Sequence, residues 1–485
     1  MTLQEVRHFN HEVLTWNKHP ELVLDASQTV LQGADPNDIQ REKLYRGLWF
    51  GFRNLRCHTA IGDSFNECSD PITNRVAIHP VFLPPFTVEV EQAIRSGDPQ
   101  HMKHVLKEHL PELERPLIGV NKNRLGLRKQ DQTDYVNAFF LDDKSVAAIK
   151  SLIEMGDQGS EAITILTRFL MAKFGSFKNM IVLGDEVVLG TLEGGHPVLT
   201  FDEAARRLVA LGSAKPVEVS GLPETGRSIS KEKWEVNNSV RGIQTLGEYL
   251  GKKELLSEPV VLSDLVNDPV LARILKLFTS WAQQAEGAFY AYDPEQGHTV
   301  TVTGQFGAVK SNLEYNDIVA FDLAGDRLQM VQVGDVKPKS PSVEAREFAK
   351  PNERLMDEYE VTVDGRKMPP VRSIIHLHRD FVPSSINSSN IIIVPNDFDK
   401  YPPVGCGVDM MEAMSEYAMT NAVKKWIEGG RKAKIAVFYV PNHGINVFSF
   451  WSPDESGKIP ADPYFHFKRS LDNGDIRLTQ HVHQV

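Results

Sequence analysis

Val371-Arg372-Ser373-Ile374-Ile375-His376-Leu377-His378 is the stretch on which the reading of this chain turns. Its apolar, β-branched run predicts a strand. In an extended strand, residues two apart share a face. His376 and His378 would then stand about 6 to 7 Å apart on one side, close enough to share an ion. A third imidazole follows in Asn442-His443-Gly444. Three histidines with an open fourth position are the donor set of a catalytic zinc-type centre. Taken alone, the same residues equally describe a solvent-facing pair on an edge strand and a turn histidine, so their neighbours carry the argument.

Outward from this strand, hydrophobic periodicity predicts the surrounding elements. A helix is expected over 269–285, from Leu271, Ile274, Leu277, Phe278 and Trp281, and strands follow at 288–291, 299–303, 317–322 and 328–333. Ser342 opens another predicted helix that runs to about Met356, with Glu344 and Ala345 in its first turn. Beyond the histidine strand come a short strand at 391–394, a long helix at 408–429, and a hairpin of 435–439 and 445–450 around Pro441-Asn442-His443-Gly444.

The first half reads as mixed helix and strand without a catalytic motif. Helices are expected over 38–56 (Leu44, Leu48, Trp49, Phe52) and 160–174 (Ile163, Leu166, Leu170, Phe174), with an extended or looped Pro-rich passage at 79–86. Residues 180–189 predict a strand or hairpin, 201–211 a short helix capped by Thr200, and 220–238 a loop or boundary zone. His101 and His104 read as a polar helix face rather than a metal pair. His481 and His483 sit in the terminal tail and are assigned no role.

At 485 residues the chain exceeds one hydrophobic core. Two domains are expected, an α+β domain of unknown role over 1–255 and a catalytic domain over 256–485. No run approaches the roughly 18 apolar residues of a membrane span, and the charged segment from Met1 to His19 lacks the apolar core of a signal peptide, so a cytoplasmic protein without membrane contact is expected. Cys57, Cys68 and Cys406 are too few and too scattered for a disulfide framework and read as buried thiols. A formal net charge of −11 disfavours a nucleic-acid partner, because phosphate contacts require clustered Lys and Arg.

The order helix, paired strands, helix, His-x-His strand, helix, Asn-His-Gly hairpin resembles the class II aldolase/adducin family over about residues 260 to 455. Lys339-Ser340-Pro341-Ser342-Val343-Glu344 is similar to the family's Pro-Ser-x-Glu helix opening, and Pro403-Val404-Gly405 is similar to its Pro-x-Gly step into a helix. The strand into Asn442-His443-Gly444 matches as well. The resemblance implies a three-layer α/β/α C-terminal domain with a central, mainly antiparallel sheet, and a tetramer or other homo-oligomer. It implies that His376, His378 and His443 ligate a divalent metal, most commonly zinc, with manganese, cobalt or iron as alternatives, and that Glu344 is the acid/base beside it. A carboxylate at a helix start also favours the helix dipole by about 0.3–1 kcal/mol, which is the structural alternative for Glu344. Family members often complete their site from a neighbouring subunit's tail, which makes Tyr464, in the stretch 462–466, a candidate acid.

The departures from the family pattern narrow the substrate. Where phosphate-binding members carry a Gly-Asn-x-Ser turn, this chain has Gly287-Ala288-Phe289-Tyr290, so two neutral donors are missing and an unphosphorylated substrate is expected. Thr303 and Gly304 retain a hydroxyl and an amide for a carboxylate or smaller oxyanion. Arg379 suits a bidentate pair with a substrate carboxylate, or a structural pair with Asp380. The expectation is therefore a metal-dependent lyase that breaks or forms a carbon–carbon bond in a small hydroxy or keto substrate through a stabilised enolate. Epimerase, dehydratase and decarboxylase outcomes start from the same intermediate, and an adducin-like scaffold is the non-catalytic alternative. A cupin-type iron dioxygenase is disfavoured, because Val382 stands where that fold places a glutamate and a long helix separates the ligands.

Overall fold

A computed structural model of the chain describes residues 21–25, 29–30, 39–54, 59–62, 75–112, 133–174, 178–191, 198–205, 208, 227–256, 261–278, 287–302, 309–324, 327–335, 341–342, 345–359, 361–377, 379–383, 389–396, 407–440 and 444–479. Within these the protein is mixed α/β, built on an eight-stranded and a nine-stranded sheet, each covered on both faces.

The first sheet comprises β1 (Glu21–Asp25), β2 (Thr29–Val30), β3 (Thr59–Gly62), β4 (Arg75–Phe82), β5 (Thr133–Phe140), β6 (Lys178–Val182), β7 (Glu186–Thr191) and β8 (Val198–Thr200), ordered β3-β1-β4-β5-β6-β7-β8 with β2 against β4. Pairing is parallel from β3 through β6 and antiparallel through β7 and β8. Parallel neighbours need long crossovers, and helices supply them: α1 (Ile39–Asn54), α2 (Val88–Ser96), α3 (Pro99–His109), α4 (Asp143–Glu154) and α5 (Asp157–Phe174). Local sequence sets the helix starts. Thr87 accepts from Val90 N, Asp98 from Gln100 N and His101 N ahead of Pro99, and Asp142 from Lys144 N and Ser145 N. Leu44 and Leu48 of α1 bury with Ile78, Phe82 and Val136 on one face, while Ile94, Leu106, Leu152 and Phe169 bury with Val81 and Phe139 on the other. This doubly covered parallel arrangement differs from the segregated α+β domain that the sequence suggested. Strands buried on both faces lose the polar alternation that marks them.

β4 explains the Pro-rich passage: it extends to Phe82, and residues 83–87 then lead into α2. Pro80 lacks a ladder donor and would be costly in a central strand. Its register tolerates it, because β1 partners 75–78 and β2 partners 81–82 of β4, so Pro80 falls between the two described ladders on that side. His101 and His104 are exposed on α3.

After β8 the chain crosses between the two sheets three times. In β9 (Ser228–Ile229), α6 (Lys231–Glu235) and α7 (Asn238–Lys252), the side chains of Trp234, Ile243, Leu246 and Leu250 share a core with Phe289, Val300 and Ile375 of the second sheet. Asn237 caps α7 through Ser239 N and Val240 N and donates to Asp293 Oδ2 at 2.6 Å, which fixes the helix to a strand end. Leu262 and Leu265, with Leu271 and Leu275 of α8 (Pro269–Phe278), then return to the core of the first sheet. A buried ion pair marks that junction. Lys173 Nζ donates to Glu112 Oε1 at 3.0 Å and to Lys107 O at 2.9 Å, and the same carboxylate accepts from Asn267 N and Asp268 N at 2.8 and 3.2 Å.

The second sheet adds β10 (Ala288–Asp293), β11 (His298–Val302), β12 (Ile318–Ala324), β13 (Arg327–Val333), β16 (Val371–Leu377), β18 (Ile391–Val394), β19 (Ile435–Val440) and β20 (Gly444–Phe450). Its order is β18-β19-β20-β16-β10-β11-β12-β13-β9, antiparallel except for β18·β19 and β13·β9. Helices α9 (Ala345–Glu358) and α10 (Gly407–Glu428) cover one face through Phe348, Leu355, Met419 and Trp426. On the other face lie α7 and α11 (Phe465–Asp472), the latter through Phe467. Two small pairs complete the fold: the hairpin of β14 (Val361–Val363) with β15 (Arg366–Met368), and β17 (Asp380–Pro383) antiparallel to β21 (Ile476–Thr479). No helix among the described residues is long and apolar enough to cross a membrane.

Candidate functional site

β16 lies at the centre of the second sheet, and its pleat fixes where each of its residues points. Ile375 and Leu377 face the α7 layer, whereas Ile374 faces α9 and α10. His376 therefore faces α9. It is 1% exposed, and its ring lies 6.4 Å from that of Phe348 in the second turn of α9. The antiparallel register sets His376 opposite Asn446 of β20 and Ala288 of β10. Asn446 Oδ1 accepts from His376 Nδ1 at 3.0 Å. In the neutral imidazole this bond selects the Nδ1–H tautomer, the one with which a histidine ligates a metal through Nε2.

The sheet gathers several chain segments at the end where β16 finishes. Gly287 precedes β10 there, with φ +69, and a Cβ at this position would collide with the carbonyl oxygen of His376, so only glycine lets β10 enter beside the histidine strand. β11 finishes at Val302 and β12 starts at Ile318, its partner. β19 finishes at Val440 and β20 starts at Gly444, again partners. α9 points its first turn the same way, because Phe348 meets His376 while Asn352, one turn later, holds Val371 N and O at the opposite end of β16. Lys310, 5% exposed, donates from Nζ to Gly287 O and sets a buried cation on the α7 side of this end.

Of the sequence-derived site, His376 thus has a defined place. Glu344, His378, His443, Thr303 and Gly304 lie outside the described residues. Their described chain neighbours Ala345, Leu377, Gly444 and Val302 stand at the gathered end. Tyr464 is placed elsewhere. It immediately precedes α11, is fully buried, and joins Phe289, Ile375 and Leu377 in the core on the face away from His376. Burial pushes its hydroxyl well above the usual phenol range, Asp462 adds to this, and Arg372 opposes it. A side chain wholly inside its own subunit's core is not offered to another subunit's site. Arg379 is 4% exposed, and its Nε donates to Leu255 O at 2.9 Å, just past the last turn of α7, where a cation complements the helix dipole.

Sequence reasoning missed Asn446 and Lys310. Asn446 follows from pairing β16 against β20 and asking which side chain faces His376; Lys310 has no local signal, since its role comes from the carbonyl of Gly287. Glu347, buried in the first turn of α9, is a further acid that the motif drew attention away from. Among the described residues no three His, Cys, Asp or Glu side chains form a metal-binding group. His376 fits the part of one ligand in burial, face and second-sphere hydrogen bond. No family model, curated protein or solved structure matches this chain.

Proposed function

We propose that the protein is a divalent-metal-dependent lyase of class II aldolase type, acting on a small, unphosphorylated hydroxy or keto substrate. The observation that carries this reading is His376: a buried imidazole held by Asn446 on the α9 face of a central strand, at the sheet end where the chain neighbours of His378, His443 and Glu344 also stand. In this reading His376, His378 and His443 hold the ion, with zinc the favoured species. The ion, when bound, supplies positive charge that stabilises the oxyanion developing on the substrate. Asn446 keeps His376 in one tautomer and one orientation, so the ligand needs no reorganisation on binding. Glu344, joined to the first turn of α9, moves a proton at the substrate carbon or oxygen. Thr303 and Gly304 provide neutral donors to the substrate's carboxylate. Phe348, whose ring lies 6.4 Å from that of His376 and 4.7 Å from that of Tyr290, packs on the α9 side of His376.

Proton exchange at carbon tests this directly, because lyase, epimerase and decarboxylase outcomes share an enolate. Pyruvate in deuterated buffer should take up deuterium at its methyl group with wild-type protein. Glu344→Gln should slow this by about 100-fold or more. Exchange that persists unchanged in Glu344→Gln, or that wild type never accelerates across a panel of keto and hydroxy acids, counts against the reading.

A further inference from the structure

The far end of the second sheet, away from His376, holds a cavity of about 450 Å³ between the strand ends and the later turns of α9. This volume is in the range of small-molecule sites. Its walls are mixed: the side chains of Phe321, Ala349 and Met356 are apolar, while Tyr292, Thr299 and Glu353 bring polar groups. Those three polar side chains make no side-chain hydrogen bond or ion pair with any described residue. A polar wall so arranged is built for a partner from outside.

The sign of the charge on that partner follows from the neighbouring groups. Asp322 also lines the cavity, but both its oxygens are committed, one to His298 Nδ1 at 2.6 Å and the other to Arg227 Nη1 at 2.8 Å. That pairing balances Arg227, the one cation among the described residues of the wall. Nearby cations are also engaged, Arg366 with the carbonyls of Pro294 and Glu295, and Arg354 with Glu416. Glu353 therefore stands as the carboxylate without a counter-charge, with Asp357 one turn on along α9 and Asp293 beyond Tyr292. Its own carboxyl is held above the usual range, by partial desolvation against the cavity wall first and then by Asp357 and Asp322. The Tyr292 hydroxyl is likewise raised, by burial and then by Asp322 and Asp293, with Arg227 in opposition.

We infer that this cavity is a binding site for a small organic cation, an amine or guanidine on a short apolar or aromatic body, with Glu353 as its counter-ion and Tyr292 and Thr299 as hydroxyl partners. Tyr292 also presents an aromatic ring to the ammonium group. The site lies at the opposite end of β10 and β16 from the proposed metal centre and stands or falls independently of it.

Three probes of one shape and different charge test the inference: benzylamine, benzyl alcohol and benzoate, titrated by calorimetry into the full-length protein. Benzylamine should bind saturably and at least tenfold tighter than benzyl alcohol, and benzoate should not bind. Glu353→Gln, at an exposed position on α9, should reduce the benzylamine preference to less than twofold with the unfolding temperature unchanged. Asp357→Asn, outside the wall, should keep most of it. No saturable benzylamine binding, equal binding of the three probes, or a preference that survives Glu353→Gln overturns the inference. The wild-type comparison of benzylamine with benzyl alcohol decides the matter even where the variant fails to fold.

Discussion

Glu112→Gln should destabilise the junction between the first sheet and residues 261–278 far more than a surface substitution would. Lys173 is 1% exposed and Glu112 is 19% exposed, so Glu112→Gln leaves a nearly solvent-free ammonium without its counter-charge, with only the neutral amide oxygen and Lys107 O to accept from it. Breaking such a pair from one side costs about 3–5 kcal/mol, and the partial exposure of Glu112 puts the expected loss at the lower end, about 3 kcal/mol. Lys173→Met should cost less, about 1–2 kcal/mol, because Glu112 keeps the Asn267 and Asp268 amides. The double variant should be more stable than Glu112→Gln alone, giving a coupling of about 2 kcal/mol. Hydrogen exchange read by peptide localises the effect: amides of 261–278 should exchange about two orders of magnitude faster in Glu112→Gln, since each 1.4 kcal/mol is roughly tenfold. A change under fivefold in those peptides, or a double variant no better than the single, refutes the reasoning.

The same carboxylate sets a pH dependence. Burial acts to raise the Glu112 carboxyl, but the Asn267 amide and Lys173 outweigh it and hold the carboxyl below its usual range. A depressed folded pKa stabilises the protein above the unfolded value of about 4.3, and that stability is lost as pH falls through the folded pKa. Protection of 261–278 should hold from pH 7 to about 5 and drop below about pH 4 in wild type, whereas Glu112→Gln should show no such step; a step already present near pH 6 contradicts the assignment. Asn446→Leu should weaken metal binding by about 10- to 100-fold through loss of the His376 Nδ1 partner, measured by competition with a chelating dye, and an unchanged affinity removes Asn446 from the site. Gly287→Ala should destabilise the second sheet by at least about 2 kcal/mol in urea unfolding, since it combines a left-handed backbone with a collision at His376 O, and a loss below about 0.5 kcal/mol refutes that packing.

Much of the second sheet is legible from sequence because its strands are local neighbours. β10 through β13 form hairpins whose alternation predicts their positions to within about two residues, a margin common to boundary definitions. The histidine strand was equally legible, since β16 spans Val371–Leu377 where the apolar run predicts it. α7 was not. Its apolar stripe is interrupted by glycines that read as breakers, yet Gly247 is required because a Cβ there would meet the carbonyl of Lys310. The first sheet was hidden for another reason: β1, β3 and β4 pair in parallel across long separations, and no local pattern encodes such a partner. Within the site, the face of His376 follows from strand periodicity, but the hydrogen bond from Asn446 needs the register of two strands about seventy residues apart. Tyr464 shows the opposite failure. Its place in the C-terminal stretch 462–466 suggested a role in a neighbouring subunit's site, and burial in the α7-side core decided its place.

Elemental analysis of chelator-free preparations tests the central claim most directly. Wild type should carry about one divalent ion per chain, as three imidazole ligands imply. His378→Ala should lose the ion, while Glu344→Gln, which supplies no ligand, should keep it. A metal-free wild type, or full metal content retained in His378→Ala, contradicts the three-histidine centre and with it the proposed lyase.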